Sequence, residues 1–152
     1  MGARDMIGIV LAAHGPLPEA LLESADMILG DTENIFLLKL MPGDSLEGLI
    51  DRMRDMVQEA EAGQGVLILL DLFGGTPSNA AALISQQVEG VHAVSGVNVP
   101  MLLETLLARQ TTEDVQALAE TATNSGTQGI VNVVKAFQQY RAQKQEANSS
   151  SS

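Results

Sequence analysis

Two apolar runs in this chain each end on a side chain that the run has no use for. GIVLAAH ends on His14 and is followed by Gly15; VLILLD ends on Asp71 and is followed by Leu72, Phe73, Gly74, Gly75, Thr76 and Pro77. A neutral imidazole is a nucleophile at one ring nitrogen when a carboxylate holds the proton on the other, so His14 and Asp71 together suit a group that is taken up and passed on. The Gly-Gly-Thr-Pro segment supplies the counterpart. Paired glycines turn the backbone sharply with no Cβ in the way, Thr76 is a good N-cap, and Pro77 suits the first helical position, so amide N–H groups converge at a helix start. Such a nest binds an anion, most naturally a phosphate. It is not a nucleotide P-loop, because the Lys-Ser/Thr pair that reaches the outer phosphates and Mg²⁺ is missing. A single phosphoryl group fits better. Alone, a strand-end histidine is more often structural and a Gly-Gly pair more often only a turn; the combination is what points to a site. His92, at the opposite end of its own strand, reads as structural. A hydrolase built on His14 would need a second acid or base, or a metal cluster, and neither is evident.

The elements that must position these residues follow from periodicity. MIGIVLAAH, NIFLLKLM, GVLILLD and VHAVSGVN read as four strands, the first buried on both faces and the third buried. Helices lie between and after them: PLPEALLESADMILG with Gly30 as its stop, LEGLIDRMRDMVQEAEA with Ser45 as N-cap, PSNAAALISQQV and PMLLETLLARQ. Strands alternating with helices at this spacing imply an α/β, doubly wound, flavodoxin-like three-layer sandwich on a four-stranded parallel sheet. In such sheets ligands bind beyond the carboxyl ends of the strands, where strand order reverses. If the first and third strands are neighbours, His14 and Asp71 meet there. After Thr111 a further helix is expected, then GIVNVV, where Ile130 to Val134 reads as a short strand with the first turn of a helix as its rival. Residues 1–140 are expected to form one domain, and 141–152, ending in a serine run, a polar, disordered tail or linker stub.

Composition excludes several function classes. The chain has 152 residues, enough for one domain with a real core. Nineteen acidic residues against 8 basic ones give a formal net charge of -11, which would repel a nucleic-acid backbone. With no cysteine there are no disulfides, thiolate metal sites or cysteine nucleophiles. Neither a signal segment nor an apolar run long enough to span a membrane is visible, so a cytoplasmic protein without membrane insertion is expected.

IVLAAHG, DLFGGTPSNAA and SGVNVPMLLETLLAR, in this order and spacing, resemble the IIA component of the mannose family (mannose, fructose and sorbose class) of the phosphoenolpyruvate-dependent sugar phosphotransferase system (PTS). The resemblance runs over roughly residues 6 to 135. It implies that His14 is the phosphorylated histidine, Asp71 its orienting carboxylate, and Gly74, Gly75 and Thr76 the phosphate-binding loop, with Gly15, Phe73, Asn98 and Pro100 at the rim. It implies no cofactor and no metal. It implies phospho-HPr as donor, the IIB component as acceptor, the membrane components IIC and IID as indirect partners, and a homodimer in which a C-terminal antiparallel strand, placed here at GIVNVV, is exchanged. It also agrees with the lack of Lys or Arg near either loop, since strong charge pairing would trap the phosphoryl group. The rival reading is a IIA-like regulatory domain, or a non-catalytic anion-binding regulator whose His14 is never phosphorylated.

Overall fold

The computed structural model describes residues 6–30 and 32–150. Its elements are β1 (Gly8–His14), α1 (Leu17–Leu29), β2 (Ile35–Leu40), α2 (Leu46–Ala60), β3 (Val66–Leu70), α3 (Gly75–Gln87), β4 (Val91–Ser95), α4 (Val99–Ala108), α5 (Val115–Gln128) and α6 (Val133–Ser150). The four strands form one sheet in the order β2-β1-β3-β4, with all three pairings parallel. From β2 the chain crosses over β1 to reach β3, so the order reverses between β1 and β3. That is the crevice in which the sequence places the site.

Strand alternation divides the core between two faces. Val10, Ala12, Val66, Ile68 and Leu70 face α2 and α3, where Leu49, Met53, Val57, Ala80, Ala81 and Ile84 cover them. Ile9, Leu11, Leu67 and Leu69 face the other way, under Leu21 and Ala25 of α1, Leu102 and Leu106 of α4, and Leu118 and Ala122 of α5. Each fully buried Leu or Ile contributes about 1.5–3 kcal/mol, so the two central strands hold much of the stability. The local stops and starts agree with their residues. Gly30 closes α1 in the left-handed conformation, and the Ser45 side chain accepts from the Gly48 amide at the start of α2.

Two close approaches fix the end of the sheet away from the site. An added Cβ on Gly8 would lie 2.3 Å from the Ala60 carbonyl oxygen, so the C-terminus of α2 rests directly on the first residue of β1. Gly8→Ala should therefore lower stability by about 3 kcal/mol, read as a fall in the urea midpoint at constant m. A midpoint within experimental scatter of the parent would refute this contact. Buried Arg109 lies at the same end, its Nη1 donating to the carbonyls of Ile7 and Asn34, both at 3.2 Å, and its Nη2 to that of Glu33.

The C-terminal part departs from the sequence reading. No antiparallel strand forms at Ile130–Val134: residues 130–132 carry no regular structure and Val133 opens α6. The rival reading, a helix turn, is the one realised. Its signal is Asn132, whose Oδ1 accepts from the Lys135 amide at 3.0 Å as an N-cap does. The expected disordered tail is helical as far as Ser150, and residues 151–152 lie outside the described residues.

Candidate active site

The crevice is assembled by register. Ala12 of β1 pairs with Leu70 of β3, and Asp71, one residue further out, meets His14, two residues further out, where the two strands leave the sheet. Asp71 Oδ2 accepts twice from the same residue, at 2.9 Å from the His14 backbone N–H and at 2.9 Å from the ring Nδ1. The His14 side chain is 55% exposed while that of Asp71 is only 12% exposed, so a sheltered carboxylate holds a ring whose far side faces solvent.

The electrostatics fix the proton. Burial pushes the Asp71 carboxyl up, but the backbone N–H, the ring hydrogen bond and the charge interaction from His14 outweigh it and hold it below the ordinary carboxylate range. An ionised carboxylate only accepts, so Nδ1 is the donor and the lone pair of the neutral imidazole lies on Nε2. That nitrogen is the one not engaged by Asp71.

Gly15 follows with a φ of 59°, and its amide donates to the Leu40 carbonyl of β2 at 3.0 Å. On the other side of the crevice, Gly74 and Gly75 have φ of 94° and 77°, in the left-handed region that L side chains avoid. A Cβ at either would meet nothing within 4 Å, so backbone conformation and not crowding demands glycine there. The expectation that Thr76 caps α3 is corrected: the cap position is Gly74, the helix opens at Gly75, and no side chain accepts from its first-turn amides. Amides left unoccupied by a cap, with the positive end of the helix dipole, favour an anion at this position. Phe73 stands out from the loop, 87% exposed.

Asn98 and Pro100 lie beyond the carboxyl end of β4, at the same edge of the sheet, but they are occupied in joining α4 to α5. Asn98 Oδ1 accepts from the Met101 amide at 2.9 Å and its Nδ2 donates to the Gly126 carbonyl at 3.0 Å, while a Cβ on Gly129 would lie 2.5 Å from that of Pro100. His92 pairs with Leu67 near the start of β4, the end of the sheet away from His14. Among the described residues no cluster of three or more His, Cys, Asp or Glu could hold a metal ion, and no helix is long and apolar enough to cross a membrane.

One residue escaped the sequence reading, which expects no cation near the loops. Arg52, two turns into α2, reaches back to the turn that follows β2: its Nη2 donates to the Lys39 carbonyl at 2.9 Å and its Nη1 meets Asp44 Oδ2 at 3.3 Å. Its position in the sequence carries no hint of that reach.

The family profile EIIA-man, described as PTS system fructose IIA component, matches residues 8–123. The mannose-specific EIIAB component of the PTS from Escherichia coli K12 is 38% identical over 124 residues; these are 82% of this chain, which spans only 38% of that protein's length. The fructose-specific EIIA component from Bacillus subtilis is 35% identical over 105 residues, 69% of this chain and 72% of that protein. Among solved structures, the EIIA phosphotransferase component from Streptococcus agalactiae superposes with a TM-score of 0.77 at 30% identity, covering 86% of this chain and 99% of that one. The mannose/sorbose-specific IIA subunit from Enterococcus faecalis gives a TM-score of 0.73 at 29% identity over 83% and 93%. Fold and sequence thus agree: the chain belongs to the mannose-type EIIA family of the sugar phosphotransferase system.

Proposed function

We propose that the protein is a phosphoryl relay. His14 accepts a phosphoryl group from phosphohistidine on HPr and hands it to a IIB component, which serves uptake of a sugar through the membrane components IIC and IID. The observation that carries this reading is the 2.9 Å bond from His14 Nδ1 to Asp71, which leaves Nε2 open beside the uncapped start of α3. In the transfer, the Nε2–P bond forms as the donor's N–P bond breaks, and the donor nitrogen leaves with the electron pair. Nothing is oxidised or reduced. The Nδ1 proton stays against Asp71, which offsets the positive charge that develops on the ring. Donor and acceptor are nitrogen nucleophiles of similar transfer potential, so alignment and hydrogen bonding to the equatorial oxygens from Gly74, Gly75 and Thr76 suffice without metal or nucleotide.

Protein partners in a cytoplasmic setting suit the surface around His14, where the exposed side chains include Leu17, Met41, Leu72 and Phe73. Apolar side chains on loops around a reactive group mark a protein contact. The relay is tested by incubating the protein with phosphoenolpyruvate, enzyme I and HPr, then measuring intact mass and the acid-lability of added phosphate. Gain of one acid-labile phosphoryl group is expected. No gain under conditions that label HPr overturns the relay in favour of an anion-binding regulator.

We place the homodimer contact on Ile130, Val133, Val134, Phe137 and Tyr140, each more than half exposed on a chain end that covers none of them. Removal of residues 129–152 should then give monomer or aggregate by light scattering. A truncated protein that stays a stable dimer would refute this placement.

A further inference from the structure

We propose that Arg52 is a positioning residue that holds the turn between β2 and α2 as the wall against which the phosphohistidine-bearing donor protein docks. This rests on the relay reading above. The turn has no regular structure of its own: Met41 to Asp44 link Leu40, the end of β2, to Ser45, the cap of α2. Asp44 organises it, since its Oδ2 accepts from the Met41 amide at 2.9 Å and its own amide donates to the Met41 carbonyl at 3.3 Å. Arg52 then ties that carboxylate to the sheet by spanning Asp44 Oδ2 and the Lys39 carbonyl. A guanidinium fork can hold both acceptors at once in fixed directions, whereas an ammonium is a point donor on a flexible stem.

The turn borders the reacting residue. Leu40 sits beside His14 in the β1–β2 register, and its carbonyl anchors the Gly15 amide. Among the exposed residues of the turn is Met41, 48% exposed, which follows the carboxyl end of β2 as the exposed Phe73 follows that of β3. The imidazole is held independently of Arg52, because Asp71 grips both its backbone N–H and its Nδ1. Loss of Arg52 therefore leaves the nucleophile in place and loosens the wall. Arg52 and Asp44 are both partly exposed, so their pairing adds little to global stability and its loss does not unfold the domain.

The test compares two donors on the full chain: phospho-HPr, which must dock, and phosphoramidate, which is too small to. Arg52→Ala should raise KM for phospho-HPr about 5-fold with kcat unchanged, and leave the rate with phosphoramidate at the parent value. Arg52→Lys should fall between the two. Asp44→Ala should reproduce Arg52→Ala, and the double variant should add nothing further, as expected for two members of one brace. An unchanged KM, or an equal loss with both donors, overturns the assignment. If phosphoramidate labels the parent protein and phospho-HPr does not, the relay reading itself fails, and this inference with it.

Discussion

His14→Ala is expected to take up no phosphoryl group from phospho-HPr, at any donor concentration, in the assay that labels the parent protein to one per chain. Among the described residues, Nε2 of that ring is the crevice nitrogen left with a lone pair once Nδ1 bonds to Asp71, and alanine offers no replacement. The variant should fold. The ring is more than half exposed and fills no core space, and the backbone N–H that bonds to Asp71 is retained. Circular dichroism and the melting temperature should match the parent within a few degrees, which separates lost chemistry from lost structure. Labelling of this variant at the parental level would end the assignment of His14 as acceptor and move the search to another nucleophile.

Asp71→Asn should slow phosphoryl acceptance by about 100-fold or more while leaving the fold in place. An amide at this position carries no charge to offset the imidazolium that develops during transfer. It can also turn its NH₂ toward Nδ1, which drives the ring proton to Nε2 and removes the attacking lone pair. A single-turnover rate within a factor of three of the parent would refute the orienting role.

The same variant has a signature in acid. Because the folded-state pKa of Asp71 lies below its unfolded value, the stability from its ionised contacts is fully present above the ordinary carboxylate pKa of about 3.9 and is lost as pH falls through the lower folded value. Parent and Asn variant should therefore converge in melting temperature below about pH 4, with the parent ahead above it. A gap that stays constant with pH would show that the charge of Asp71 is not what His14 senses.

Local signals carried far in this chain because the central elements are so regular. The apolar runs ending at His14 and Asp71 have no polar residue before the last, the mark of strands buried on both faces, and both are buried up to those final residues. Gly30 and Ser45 punctuate α1 and α2 as their residue types demand. Local signals failed where two short-range preferences compete. At Ile130–Val134 the β-branched residues favour a strand, but a strand needs a partner, and among the described residues of the single chain no strand lies beside it. Asn132 caps instead, and the Gln-, Lys- and Ala-rich stretch behind it continues as helix. In the same way Thr76 is a good cap by type, yet the two glycines before it reach the helix first.

By itself the sequence determined the alternation of strands and helices, the residues that can do chemistry, and the family that carries them, since each depends on residue type and short-range spacing. Only the tertiary structure decided that β1 and β3 are neighbours, which turns a histidine and an aspartate far apart in the chain into a pair 2.9 Å apart. It also decided that Gly8 is glycine because Ala60 rests on it, that Asn98 serves the joint between α4 and α5, and that Arg52 braces the turn beside His14. The physical reason is the same in each case. Hydrogen bonds and close approaches are made between groups that packing brings together, and packing depends on the whole core rather than on any one stretch of the chain.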